Sequence, residues 1–207
     1  MNRKIGIYYA YWAEAWEADF LPYISKVKKL GFDQLEVQAA AVLNLSSEKR
    51  QELKKEADIQ GIDLSYGIGL SADYDVSSLD ETTRLRGVSF MKNMISAVSS
   101  IGGKMISGTV HSYWPAVPPE GLINKQPVWD QSIKSMIELV KVAEERDVIL
   151  NVEVINRFEQ FLLNTSEEAV KYVEQVNSPY CRILLDTFHM NIEEDSIEDA
   201  IKRCGPL

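Results

Sequence analysis

The chain has 207 residues, 45% hydrophobic and 26% charged, a balance that supports a buried core and excludes disorder. Its 22 basic and 31 acidic residues leave a formal charge of −9, a field that repels polyphosphates and argues against nucleic acid as a partner. Two cysteines, Cys181 and Cys204, are too few for a disulfide scaffold and read as reduced thiols of a cytoplasmic protein. The start, Met1-Asn2-Arg3-Lys4-Ile5, lacks the apolar stretch of a signal peptide, and no apolar run is long enough to cross a membrane.

Short β-branched or aromatic runs alternate with amphipathic stretches along the whole chain. A first strand is expected over Ile5 to Tyr9, and its helix, Ala18 to Leu30, stops at Gly31, a residue type favoured just past a helix end. The second strand, Gln34 to Val37, leads to a helix ending near Gln60-Gly61. Its N-cap is placed at Ser47 rather than Ser46, since neither serine opens a full capping box and Lys49 suits Ser46 worse than Arg50-Gln51 suits Ser47. A third strand, Ile62 to Ile68, precedes a long helix, Asp80 to Ile101, closed by Gly102-Gly103. The fourth, Lys104 to Ser107, is followed by a segment rich in Trp, Tyr and Pro that extends to about Pro127. Next come a helix over Pro127 to Arg146, a strand over Val148 to Val154, and a helix over Ser166 to Gln175 opened by Thr165 or Ser166. A sixth strand, Arg182 to Leu185, and a helix, Ser196 to Arg203, complete the pattern.

Six strand–helix units in strict alternation predict an α/β fold with a parallel sheet covered by helices, either doubly wound or a (β/α)8 barrel. The turn after Tyr9, Ala10-Tyr11-Trp12-Ala13, has no glycine, and Gly67-Ile68-Gly69 lacks the third glycine of a dinucleotide fingerprint. No linker or low-complexity stretch interrupts the alternation, so residues 1–207 are expected to form a single domain.

Chemistry-bearing residues gather at strand ends, where parallel α/β folds build their sites. Glu153 is a carboxylate inside the apolar run Val148 to Val154, and Asp186 ends the run Ile183-Leu184-Leu185, with His189 three residues later. Glu153 alone has two readings, an ion pair with a nearby arginine or a functional group, since a buried carboxylate needs a partner of some kind. Carboxylates on consecutive strands, about 4.8 Å apart, favour the second, because they can converge on a hard divalent cation such as Mn²⁺ or Mg²⁺. His111, in Val110-His111-Ser112-Tyr113-Trp114-Pro115, reads as a packed histidine, whereas His189 reads as functional. Tyr8, Tyr9, Tyr11, Trp12 and Trp16 cluster in the first loop, as core, as interface, or as faces that stack on a sugar.

Four segments carry a family resemblance: Gly6-Ile7-Tyr8-Tyr9, His111-Ser112-Tyr113-Trp114-Pro115, Glu153-Val154-Ile155-Asn156-Arg157-Phe158-Glu159, and Leu185-Asp186-Thr187-Phe188-His189-Met190-Asn191-Ile192-Glu193-Glu194-Asp195. The sequence resembles the ketose 3-epimerases acting on D-psicose (D-allulose) and D-tagatose, among the xylose-isomerase-like TIM barrels. The resemblance implies a divalent metal, Mn²⁺ foremost with Co²⁺ or Mg²⁺ as alternatives, held by two glutamates, an aspartate and a histidine. Glu153 matches the first glutamate, which is also a catalytic base, and Asp186 matches the aspartate. Glu159 and His189 match residues that hydrogen-bond the ketose near its carbonyl and O2, and Tyr8 and Trp114 match residues that pack against the sugar. The implied reaction interconverts D-fructose and D-psicose, or D-tagatose and D-sorbose, by moving the C3 proton through a cis-enediolate. A base on one face of C3 and an acid on the other are then required. The resemblance also implies a homo-oligomer, a dimer or tetramer.

The family's metal histidine, second glutamate and an arginine belong to seventh and eighth units, after a Gly-Pro-Leu like Gly205-Pro206-Leu207. Six units of roughly 34 residues fall short of a barrel of about 250 residues, so the chain is expected to be a C-terminally truncated barrel, inactive alone. Two alternatives remain open. One is a non-catalytic sugar-binding or assembly protein that covers its sheet edges by oligomerising. The other is a relative such as a hydroxypyruvate isomerase or inosose dehydratase; two histidines and the acidic charge speak against an apurinic endonuclease.

Overall fold

Six parallel strands pair strictly in chain order, as a computed structural model of the chain shows: β1 (Gly6–Tyr8), β2 (Gln34–Gln38), β3 (Asp63–Leu70), β4 (Met105–Tyr113), β5 (Ile149–Val154) and β6 (Cys181–Leu185). Between and after them run α1 (Leu21–Leu30), α2 (Ala39–Asn44), α3 (Ser47–Gln60), α4 (Glu81–Ser99), α5 (Gln126–Arg146), α6 (Ser166–Val176), α7 (Thr187–Glu193) and α8 (Ile197–Cys204). The structure describes residues 3–118, 120–121 and 124–207. Met1 and Asn2 of the leader reading, and Pro119, Leu122 and Ile123 of the Trp-, Tyr- and Pro-rich segment, lie outside the described residues.

The order 1-2-3-4-5-6 decides between the two expected architectures. A doubly wound sheet reverses direction at a switch point, whereas a barrel adds each strand beside the last. This sheet winds one way throughout, as six βα units of a TIM-type barrel. Strand side chains alternate faces with a period of two. In β2, Leu35 and Val37 are buried while Gln34, Glu36 and Gln38 are half-buried; in β5, Leu150, Val152 and Val154 are buried while Asn151 and Glu153 are half-buried. The apolar set packs into the core shared with the helices, and the polar set lies on the opposite face, the side that becomes a barrel interior. No helix among the described residues is long and apolar enough to cross a membrane.

Several boundaries differ from the sequence reading for identifiable reasons. Ser46, not Ser47, caps α3: its backbone is extended (φ −64°, ψ 160°) and its Oγ accepts the Lys49 N–H at 3.3 Å. One bond to the third residue satisfies the cap, so the missing box partner was a poor guide. Ser46→Ala is therefore expected to cost about 1 kcal/mol in urea denaturation, and Ser47→Ala far less; equal costs would contradict this cap. Strand β4 continues past Ser107 to Tyr113 because a bulge breaks its apolar pattern without ending it: pairing shifts from Gly69–Thr109 to Leu70–Tyr113. Gly108 makes the bulge possible, since at φ +124° a Cβ there would lie 2.1 Å from the Ile68 carbonyl oxygen. Helix α1 begins at Leu21 rather than Ala18, with Pro22 in its first turn and Asp19 accepting the Leu21 N–H at 3.2 Å. Two short helices, α2 and α7, were not expected at all.

Candidate active site

Alternation within β5 puts Asn151 and Glu153 on the face away from the helices, and Asn151 Nδ2 donates to Ser107 Oγ of β4 at 2.9 Å. The β5–β6 register sets Glu153 beside Leu184, so the chain reaches Asp186 just past the end of β6. Asp186 caps α7, its Oδ1 accepting the Phe188 N–H at 2.7 Å. That first turn carries His189 back over the strand ends. Its Nε2 lies 3.9 Å from Glu153 Oε1 and 3.9 Å from Asp186 Oδ2, and one donor atom from each of the three residues falls within a 4.8 Å cluster.

The ion-pair reading of Glu153 is not what the structure shows. Arg157 turns away to Glu193, which accepts its Nε at 3.0 Å, its Nη2 at 2.6 Å and its backbone N–H at 2.6 Å. Among the described residues, the His189 ring supplies the one basic nitrogen within 4.0 Å of the Glu153 carboxylate. Burial, then repulsion from Asp186, Glu36 and Glu159, pushes the Glu153 carboxyl up to about 7.

Glu159 is held from two sides. Its Oε1 accepts from Asn156 Nδ2 at 2.8 Å and its Oε2 from the Trp114 indole N–H at 3.1 Å. The loop after β5 is tied to the loop after β4 by the Ala116 N–H on the Glu159 carbonyl (2.9 Å) and by Gln160 Nε2 on the Tyr113 carbonyl (3.0 Å). Asn164 Nδ2 closes the same loop on the carbonyls of Ile155 (2.7 Å) and Gln160 (2.6 Å). At the first loop, the Tyr9 hydroxyl donates to the Trp16 carbonyl, and the Tyr8 ring meets Tyr9 edge-on at 4.9 Å. Burial raises the Tyr8 phenol well above its ordinary range, so it stays protonated.

A cavity of about 300 Å³ is lined by all six residues to which the family resemblance assigns a role, Tyr8, Trp114, Glu153, Glu159, Asp186 and His189, together with Trp16, Glu36 and Ser107. Aromatic walls with a few converging polar groups are the usual make-up of a small-molecule site. Sequence reasoning missed Glu36. It sits in Gln34-Leu35-Glu36-Val37 with the same polar alternation that exposed Glu153, and that signal could have found it. Ser65 Oγ donates to Glu36 at 3.5 Å, burial raises the Glu36 carboxyl, and a Cβ on Gly67 would come within 2.7 Å of its Oε1, so glycine makes room for it. Asn156 was missed as well. His111 lies outside this cavity, fully buried, with its ring edge-on to Tyr172 at 6.0 Å and its imidazole pulled down to about 3 by burial.

The donor set suits a divalent cation. Two carboxylates converge with a nitrogen beside them, oxygen donors of the kind a hard divalent cation takes.

The one-way parallel sheet and the comparisons with known proteins together place the chain among barrel enzymes of the isomerase and epimerase class. The chain belongs to the xylose isomerase-like TIM barrel family, whose model matches residues 24–205. It is 44% identical over 202 residues to a D-psicose 3-epimerase of Ruminiclostridium cellulolyticum, covering 98% of this chain and 69% of that one. The crystal structure of a D-psicose 3-epimerase in the presence of D-fructose superposes with a TM-score of 0.95 at 40% identity, covering 99% of this chain and 71% of the other. That of the Clostridium cellulolyticum H10 enzyme with D-tagatose gives 0.94 at 43% identity, covering 98% and 70%.

Proposed function

We propose that this chain carries the first part of the active site of a metal-dependent ketose 3-epimerase, interconverting D-fructose and D-psicose or D-tagatose and D-sorbose. The observation that carries the reading is the convergence of Glu153, Asp186 and His189 in one cavity with Glu159. Glu153 serves one face of C3, removing its proton in one direction of the reaction and delivering a proton to that face in the reverse direction. Glu159 and His189 hold the ketose near its carbonyl and O2, and Tyr8 and Trp114 pack against the C–H faces of the sugar. A divalent cation, Mn²⁺ foremost with Co²⁺ or Mg²⁺ as alternatives, would be held by Glu153 and Asp186 and would make the C3 proton more acidic by drawing charge from the adjoining oxygens. Inverting C3 needs a second group on the opposite face, and the resemblance assigns that group and the remaining metal ligands to two further units. The 207-residue polypeptide by itself is therefore inactive.

We read residues 1–207 as one domain, supported by a core cluster that runs from Tyr9 to Cys181. A homo-oligomer is supported by two exposed aromatic side chains, Phe158 in the loop after β5 and Phe188 in α7. Cytoplasmic residence is supported by two free, buried thiols.

The test joins residues 1–207 to the C-terminal third of the Ruminiclostridium relative and follows D-psicose formation from D-fructose, with deuterium entry at C3, by NMR in D₂O with Mn²⁺. Turnover by the chimera and none by the 207-residue polypeptide is expected. A chimera that folds but moves no C3 proton on any of the four ketoses would overturn the epimerase reading, and turnover by the polypeptide alone would overturn its inactivity.

A further inference from the structure

We infer that Asn156 is a positioning residue that fixes the tautomer of His189, so that His189 faces Glu153 and Asp186 with an N–H and not with a lone pair. What that N–H is aimed at, a ketose oxygen, rests on the epimerase reading; the tautomer itself does not.

Both ends of the Asn156 amide have assigned partners. Oδ1 accepts the Phe158 N–H at 3.0 Å, and Nδ2 donates to Glu159 Oε1 at 2.8 Å. Turning the amide over would set its oxygen against the Glu159 carboxylate and its NH₂ against the Phe158 N–H, two repulsive contacts in place of two bonds. The amide orientation is therefore determined by its neighbours. Nδ2 has a second hydrogen, and 2.8 Å away lies His189 Nδ1. Asn156 is 1% exposed and His189 7%, so water does not compete for this contact. A nitrogen that receives an N–H must offer its lone pair, so the ring proton resides on Nε2, the nitrogen 3.9 Å from both carboxylates.

The polarity has a chemical consequence. Glu153, Asp186 and His189 form a cluster of three potential cation ligands, yet a ring nitrogen that carries a proton cannot coordinate a metal. Asn156 thereby separates the trio into two carboxylates free to bind a cation and one imidazole committed to donating a hydrogen bond. The same amide holds Glu159, so one side chain sets the polarity of His189 and the position of the carboxylate beside it.

With only two histidines in the chain, the test is direct. Long-range ¹H–¹⁵N correlation on the ¹⁵N-labelled 207-residue protein, without metal, reads which nitrogen of each ring carries the proton. His189→Gln assigns the remaining signals to His111. His189 is expected as a single Nε2–H tautomer. In Asn156→Asp the new carboxylate accepts from the ring, and the two nitrogen signals exchange character. In Asn156→Ala, which adds no charge beside Glu159, they move toward averaged values. A wild-type His189 protonated on Nδ1, or a folded Asn156→Ala that keeps a pure Nε2–H tautomer, overturns the inference. If the tautomer behaves as expected but D-fructose and D-psicose leave the His189 signals of the chimera unmoved, the inference is supported and the epimerase reading is what fails.

Discussion

Replacing Glu153 with glutamine is expected to stabilise the metal-free 207-residue protein at pH 8 by on the order of 3 kcal/mol, and to change nothing below about pH 4.5. The Glu153 carboxyl is raised from an ordinary value of 4.5 to about 7 in the folded chain, first by burial and then by the charges of Asp186, Glu36 and Glu159. Where the folded value lies above the unfolded one, the native state holds the proton more tightly. The stability this contributes is complete below pH 4.5 and is lost as pH rises to 7 and beyond. Glutamine mimics the protonated side chain, so the two proteins coincide in acid and separate between those limits. Comparing the pair at each pH removes the opposing effect of carboxyls held low by partners, such as Glu81 on Arg84 and Glu193 on Arg157. Urea midpoints at half-unit steps from pH 4 to 8.5 read the difference. Parallel curves would mean that Glu153 is not under electrostatic strain. Saturating Mn²⁺ should reverse the ranking, since a cation stabilises only the chain with both carboxylates.

The fold was legible because its signals repeat. Six apolar runs, each followed by an amphipathic stretch, point to parallel strands, and Gly31 and Gly61 end their helices in left-handed conformation at φ +84° and +64°. The strand-end carboxylates were legible for the same reason, a charge where the run demands an apolar residue. Part of what went unread lies where one residue serves two purposes. Asp186 is at once a site carboxylate and the N-cap of α7, and reading it as chemistry concealed the helix that turns His189 toward Glu153. Asn156 has no distinguishing periodicity. Its role emerges only when the loop after β5 folds back, closed by Asn164, and sets the amide between Glu159 and His189. Helix α2, six residues without a side-chain cap, follows β2 without a break and leaves no turn residue to mark it.

Mn²⁺ affinity is expected to fall ever more steeply below pH 7, approaching about tenfold per unit and totalling about 50-fold between pH 7 and 5. A cation at Glu153 and Asp186 must displace the proton that Glu153 holds up to about 7, so binding releases about half a proton at pH 7 and close to one at pH 5. Above pH 8 the carboxyl is already ionised and the slope flattens. Calorimetry in two buffers of different ionisation enthalpy counts the protons, and the paramagnetic signal of free Mn²⁺ gives the affinity. Three variants locate the effect. Glu153→Gln removes both the slope and most of the affinity, and Asp186→Asn lowers affinity while keeping a slope. His189→Gln leaves affinity within about threefold of wild type, because a ring with its proton on Nε2 contributes no bond to the cation. A loss in His189→Gln as large as in Asp186→Asn would make the histidine a ligand after all, and the division of labour set by Asn156 would then be wrong. A flat profile from pH 5 to 8 in the wild-type chain would move the cation away from Glu153 altogether.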